Sequence, residues 1–334
     1  MGICPTHLET PDPPEWVGGS VPRMIDDGAE VLARVDRGGV VEAVHTGHAI
    51  ALAADGSPLV RAGDPDGPFL PRSSLKPLQA VAMLRAGLAL DGPGLALACA
   101  SHEGEPAHVE GVLAILRQTG CTPAHLQTPA AMPNGPDAAF AWRQAGRGPE
   151  PIAHMCSGKH AAMLATCVAA GWDPASYRDP AHPLQTLVRA TITEFTGDEP
   201  LPVVVDGCGA PAFSATVAGV ARAYARIATA PAGTPEHRVA TAMREHPWYV
   251  GGTGTLVTHL GGAVPGLLAK NGAEGGFAAA LPDGRALAVK VLDGSPRALP
   301  ALVVALLRAL GVDAPAADPV LGGGAPVGEV RPTL

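Results

Sequence analysis

Phe277-Ala278-Ala279-Ala280-Leu281-Pro282-Asp283-Gly284-Arg285-Ala286-Leu287-Ala288-Val289-Lys290-Val291-Leu292 is the stretch that decides the fold. Two apolar runs flank Pro282-Asp283-Gly284, a turn signal, so the segment reads as a hairpin of strands 277–281 and 285–292. Next, Ser295-Pro296 gives an N-cap and a proline at the first helical position, and a helix is expected over 296–311. Far upstream, Glu30–Val35 and His48–Ala54 read as strands joined through Asp36-Arg37-Gly38-Gly39. Between these ends, apolar periodicity predicts helices over 74–88, 109–116, 157–170, 183–195, 213–227 and 235–244. Leu95–Ala100 and Pro202–Val205 read as short strands, and 121–150 as irregular. Strands at both ends with helices between predict an α+β fold in three layers. The terminal strands form one antiparallel sheet, helices cover it, and a helical insertion lies against one edge. Residues 1–27, Pro-rich and aperiodic, read as a loose arm, 28–315 as a single unit, and 316–334 as a C-terminal tail.

Composition narrows the function classes. Hydrophobic residues make up 47% and charged residues 16%, which excludes a disordered or coiled-coil chain. Aromatics are 4%, so the core must be built from Ala, Val and Leu. The net charge of −8 carries no basic stripe and argues against nucleic acid, in favour of a small-molecule site or a protein partner. No apolar run approaches the roughly 18 residues of a membrane span. The N-terminus has no basic or apolar signal region. Gly2 and Thr6 fit the loose myristoylation pattern, which we read as chance. Six cysteines in a leaderless chain of 334 residues do not form a disulfide scaffold, so a reduced cytoplasm is expected.

Lysine usage is the sharpest compositional signal. Of 23 basic residues only four are lysines (Lys76, Lys159, Lys270 and Lys290), leaving 19 arginines. Surface lysine is exchangeable for arginine, but a lysine that must lose its proton is not. Three of the four stand beside Gly, Ser, Pro or Cys rather than on polar helix faces.

Several motifs surround them. In Pro71-Arg72-Ser73-Ser74-Leu75-Lys76-Pro77, Ser73 and Lys76 are three apart at a helix start and share a face. A neutral amine there can activate a hydroxyl, and free helix N–H groups can stabilise an oxyanion. The plain alternative is a helix cap with a surface lysine; Ser74 is then the cap. Cys99-Ala100-Ser101-His102-Glu103-Gly104-Glu105 is a polar turn after an apolar run. In Met155-Cys156-Ser157-Gly158-Lys159-His160, Cys156 precedes a helix whose dipole lowers a thiol pKa. Asp206-Gly207-Cys208-Gly209 follows an apolar strand; Asp206 there can meet a substrate ammonium, and two thiols with a nitrogen donor suit zinc. Two buried cysteines are, on the bland reading, small hydrophobes. Lys270 reads as a loop residue before the terminal hairpin, and Lys290 as a strand-end charge. Glu42, His45 and His48 read as structural hydrogen bonding. Gly251-Gly252-Thr253-Gly254 lacks the strand-turn-helix frame of a dinucleotide loop.

Taken in order over residues 30–312, RSSLKP, CASHEGE, CSGKH, VDGCGAP, AKNGAE and KVLDG resemble the rhizobial-type L-asparaginases, the asparaginase II family. The set is far more specific than any one piece. The resemblance implies a fold like serine β-lactamases and glutaminases, and a homodimer that hydrolyses L-asparagine to L-aspartate and ammonia. It implies two Ser-Lys pairs, Ser73 with Lys76 and Ser101 with Lys270. It implies zinc at Cys156, Lys159 and Cys208 with Asp206 alongside, Arg72 facing the substrate carboxylate, and substrate contacts from Asp206 and His160. Val257 stands where the family carries a further cysteine, which bears on metal or substrate affinity. Ser73, with its helix-start frame, is expected to attack and Ser101 to act as relay or oxyanion contact, the opposite assignment being open, and an alkaline optimum is expected because a lysine base must be neutral. The alternatives are a glutaminase or other amidase of the β-lactamase-like group, and a non-catalytic zinc- or thiol-dependent binding protein.

Overall fold

Asp283 and Gly284 do turn the chain back on itself. In the computed structural model, which describes residues 28–334 apart from 202 and 316, the two flanking runs are paired strands. The expected arm at 1–27, with Gly2, Cys4 and Thr6, lies outside the described residues, as does Pro202.

The strands are β1 (Glu30–Arg37), β2 (Val40–Leu52), β3 (Pro58–Ala62), β4 (Pro68–Phe69), β5 (Val204–Val205), β6 (Pro211–Ala212), β7 (Ala215–Thr216), β8 (Leu268–Asn271), β9 (Gly276–Ala280), β10 (Ala286–Val291), β11 (Val320–Gly322) and β12 (Ala325–Pro332). The helices are α1 (Lys76–Arg85), α2 (Gly92–Ala98), α3 (Pro106–Gln118), α4 (Pro136–Gln144), α5 (Ser157–Ala170), α6 (Pro183–Thr196), α7 (Val217–Ala228), α8 (Pro235–Glu245), α9 (Pro247–Val250), α10 (Leu256–Ala263) and α11 (Leu299–Ala309). One antiparallel sheet runs β11-β12-β1-β2-β10-β9-β8, with β3 added to β2. The N- and C-terminal strands therefore meet as expected, at β2–β10.

β2 is long enough to serve two partners in succession. Gly47 pairs with both β1 and β10, and Ala49–Leu52 pair with both β10 and β3. Hence β1 and β3 follow one another along one edge of β2, while β10 holds the other. Helices α7 and α11 pack on the sheet, and α1 nests among α2, α5, α6 and α8. The core is Ala, Val and Leu, as the low aromatic content requires, and Tyr177, Tyr224 and Phe277 are among its few large rings.

Several boundaries differ from the sequence reading. Leu95–Ala98 is helical, not strand: Asp91 is extended, a proline sits in the first turn of α2, and all four residues are buried. A short apolar run fits a buried strand and a buried helix equally, and periodicity does not separate them. The 121–150 region contains α4, started by Pro136. Residues 320–332, read as tail, form β11 and β12 and join the sheet through β1. Ser295 caps as expected, accepting from Arg297 N, but the first turn is 3-10 and α11 starts at Leu299. His45 Nδ1 donates to Asp293 Oδ2 at 2.6 Å, and Glu42 pairs with Arg37 at 3.0 Å, in line with structural roles.

Candidate active site

The chemistry-bearing motifs converge where α1, the end of α2, the start of α5 and β8 meet. Arg72–Leu75 is a 3-10 turn that runs directly into α1, so Lys76 opens the helix with its side chain 1% exposed. Ser74 does not cap: Leu75 holds the N-cap position, and the Ser74 hydroxyl is buried without a partner. Arg72 adopts φ 53°, a strained left-handed conformation for a residue with a Cβ. Its guanidinium meets Asp206 through Nε at 2.6 Å and Nη2 at 2.5 Å. Ser101 follows α2, and its N–H donates to Val250 O at 3.0 Å. Lys270 lies in β8 rather than in a loop, and is fully buried.

Both Lys76 and Lys270 reach Ser101. Lys76 Nζ donates to Ala100 O, to Ser101 Oγ at 3.1 Å and to Cys156 Sγ at 3.2 Å. Lys270 Nζ lies 2.9 Å from Ser101 Oγ, 2.9 Å from Asn271 O and 2.7 Å from Asn271 Oδ1. Each amine has three partners, so burial rather than the count tells the two apart. Lys76 has three acceptors, which uses the three N–H groups of an ammonium. Burial, and then the charge of Lys76, push Lys270 well below its ordinary value, so it is the neutral amine of the two. A neutral amine has two N–H groups and one lone pair. The two N–H groups suit the two Asn271 oxygens, and the lone pair accepts the Ser101 proton. Ser101 thus accepts from Lys76 and donates to Lys270.

The pairing differs from the expected one in one respect. No hydrogen bond joins Ser73 to Lys76, whose amine is taken up by Ala100, Ser101 and Cys156. Ser73 is half-buried and Ser101 is 6% exposed, so Ser73 is the more accessible hydroxyl. Asn271 lies within the AKNGAE motif but is given no role by the sequence reading, and the contact of Cys156 with Lys76 spans 80 residues of sequence.

The thiol motifs form a second cluster touching the first. Cys156 is the N-cap residue of α5, and with Cys208 and Ala210 it makes a small buried group. Hydrogen bonding with Cys208 is the main cause that holds the Cys156 thiol well below its ordinary value; Lys76 and Lys159 add to it and burial opposes. Lys159 Nζ donates to Cys208 Sγ at 3.1 Å. Burial pushes Lys159 down, but Cys208, Cys156 and Asp206 outweigh it and keep the amine protonated. Burial raises Asp206, yet Lys159 and Arg72 hold it below the usual carboxylate range. Asp206 is therefore held by Arg72 and by Gly207 N through Oδ1. His160 Nδ1 lies 2.7 Å from Tyr177 Oη, which also accepts from Gln127 N, and its Nε2 is buried without a partner. Burial lowers His160 to about 4, so the ring is neutral. Among the described residues no group of three or more His, Cys, Asp and Glu side chains is gathered to hold a metal, so any ion here would need the Lys159 amine.

Two further residues fix the frame. Gly104 N donates to His102 Nδ1 at 3.1 Å, which leaves the ring proton on Nε2 to donate to Ser157 Oγ at 3.0 Å. Ser157 in turn donates to Ile152 O at 2.8 Å. Gly158 lets α5 approach α2: a Cβ there would lie 2.5 Å from Leu97 O and 2.7 Å from Leu97 Cγ. Gly158→Ala is expected to destabilise the fold by about 1–3 kcal/mol through overpacking. Chemical denaturation checks this, as a lower midpoint at unchanged slope.

A buried serine thus lies between two buried lysines on an α+β frame. The sequence matches the L-asparaginase II family over residues 33–332, and the chain belongs to that family. It is thereby an amidohydrolase. No curated protein matches. Among solved structures, a β-lactamase from Mycobacterium bovis is 16% identical, covering 79% of this chain and 95% of its own, with TM-score 0.44. Mglu, crystallised in 4.3 M NaCl, is 18% identical over 78% of this chain and 60% of its own, with TM-score 0.43. EstCE1, a hydrolase with promiscuous acyltransferase activity, is 12% identical over 86% and 94%, with TM-score 0.40. Among the described residues no helix is long and apolar enough to cross a membrane.

Proposed function

We propose that the protein is an L-asparagine amidohydrolase that works through an acyl-enzyme. The observation that carries this reading is the Ser101 hydroxyl held between Lys76 and the fully buried Lys270, whose amine burial pushes well below its ordinary value. Ser73, the more exposed serine, attacks the side-chain amide carbon. Its proton passes to Lys76 as Lys76 hands one to Ser101 and Ser101 hands its own to Lys270. The oxyanion that develops needs donors other than the start of α1, where Ser74 N–H donates to Pro71 O at 3.0 Å, Lys76 N–H donates to Ser73 O and Pro77 has none. The C–N bond breaks, the proton returns along the relay to the leaving nitrogen, and ammonia departs. Water then attacks the ester, and aspartate and the Ser73 hydroxyl are restored. A second reading, in which Ser101 attacks directly, draws on its contact with both lysines.

Zinc belongs to the same proposal, held by Cys156, Lys159 and Cys208. Two sulfurs and an amine suit its preference for soft and nitrogen ligands. When bound, the ion would supply a fixed positive charge beside the substrate site. Lys159 must lose its proton to ligate, so loading releases protons. Arg72 orients the substrate from its ion pair with Asp206. Assembly as a homodimer and a cytoplasmic location complete the reading.

Ammonia release from L-asparagine at alkaline pH tests it. Release is expected well above a Ser73→Ala control, and activity is expected to fall as pH drops and Lys270 gains its proton. A flat or acidic profile would remove the lysine base from the mechanism.

A further inference from the structure

Three of the four lysines are absorbed by the site just described; Lys290 is not. Its position follows from strand register. Lys270 pairs with Ala278 across β8–β9, and Ala278 pairs with Ala288 across β9–β10. Paired residues share a face, and Lys290 is two residues beyond Ala288, so Lys290 and Lys270 project from one face of the sheet. Lys290's own partner on β9 is Gly276, whose carbonyl accepts from Gly272 N at 2.7 Å. Neither glycine carries a side chain. A Cβ on Gly272 would lie 2.5 Å from Pro71 O and 2.8 Å from Ser74 Oγ. Two bare positions therefore lie between Lys290 and the turn that bears Arg72 and Ser73.

The ammonium is anchored and still has capacity. Lys290 Nζ donates to Glu274 O, which leaves two N–H groups. No carboxylate forms an ion pair with it among the described residues. Burial lowers its pKa; Glu274 and Asp293 oppose, and the charge of Arg72 adds to the lowering, which places the two cations in one field. Glu274, at φ 54°, and Arg72, at φ 53°, are the only described non-glycine residues in the left-handed region. Such conformations persist only where the surroundings fix them. Arg72 meets Asp206 Oδ1 through Nε and Nη2, and that pair is neutral together. Asp293 is occupied by His45 at 2.6 Å and by Ser295 N at 2.8 Å. Lys290 is thus a cation that no carboxylate pairs with among the described residues, able to meet an anionic group placed over Ser73 beside the Arg72–Asp206 pair.

We propose that Lys290 binds the α-carboxylate of the substrate, so that the site selects amides of amino acids carrying that group. This rests on the amidohydrolase reading and adds to it a determinant of specificity. The test compares wild type with Lys290→Met, Lys290→Gln and Lys290→Arg on L-asparagine and on 3-aminopropanamide, the analogue lacking the carboxylate. KM for asparagine is expected to rise roughly 10- to 100-fold in the Met and Gln variants, the loss of one charge-assisted contact. Their kcat should change little, turnover of 3-aminopropanamide should match wild type, and Arg should recover much of the affinity. Gln keeps a donor for Glu274 O, so a purely structural lysine predicts a wild-type KM for Gln; that result overturns the proposal. Where Met fails to fold, Gln and Arg decide. Should wild type release no ammonia from asparagine, the amidohydrolase reading fails on its own. Calorimetric binding of L-aspartate and L-glutamate then decides the Lys290 proposal. Binding weakened in Lys290→Gln supports it, and no binding to folded wild type, or binding unchanged in the variant, overturns it.

Discussion

Lys270→Met is expected to lower kcat on L-asparagine by roughly 10²–10⁴-fold, the usual worth of a positioned acid–base. Methionine matches the length and apolar stem of the lysine but has no lone pair of basic strength. Ser101 would keep its contact with Lys76 and lose its proton acceptor, so the relay has no terminus. The same change is expected to stabilise the protein. Lys270 is buried and its amine is depressed well below its value of 10.5 in water. Between the folded and the unfolded pKa, the unfolded chain holds a proton that the folded chain does not, so stability rises with pH across that window. The burial penalty is therefore felt at neutral pH and fades as pH approaches 10.5. Methionine removes it. Thermal melting at pH 7 and pH 10 should show the variant more stable at the lower value, with the gap closing at the higher. Lost turnover with gained stability separates a mechanistic lysine from a merely structural one; an active variant would sink the relay.

Ser73→Ala should cost more, on the order of 10⁴–10⁶-fold in kcat, because it removes the atom that forms the covalent bond. Ser101→Ala is expected to cost roughly 10²–10⁴-fold, since it cuts the route between the two lysines but leaves the nucleophile. The double variant should be no worse than Ser73→Ala alone, because residues that act as one unit are not additive. Mass spectrometry of acid-quenched enzyme supplies the direct reading. An acyl adduct on the peptide containing Ser73 is expected in wild type and in Ser101→Ala. An adduct on the Ser101 peptide would instead make Ser101 the attacking group.

Much of this arrangement is legible before any coordinates, and the parts that are not share a cause. The hairpin around Asp283-Gly284 and the helix cap at Ser295 are local, so turn and capping chemistry reveals them. The Ser101–Lys270 contact joins residues 169 apart, and only the resemblance to a family supplied it. The amine of Lys76 follows the same rule: local spacing points to Ser73, three residues away, while burial turns it toward Ser101 and Cys156. Leu95–Ala98 failed because four buried apolar residues carry no period. β12 was missed because Ala325-Pro326-Val327-Gly328 reads as loop, and its pairing with β1 is a tertiary fact.

The position of β12 has a consequence for how the chain acquires its shape. β1, at residues 30–37, is flanked by β2 on one side and by residues 325–332 on the other. A growing chain on the ribosome therefore carries an open strand edge at β1 throughout the synthesis of every helix. Contacts of such large sequence separation are slow to form, and an exposed edge is a template for pairing between molecules. Chaperone demand should thus peak late in translation and end when residue 332 emerges, and removing residues 320–332 should raise aggregation during expression before it alters the chemistry at Ser101.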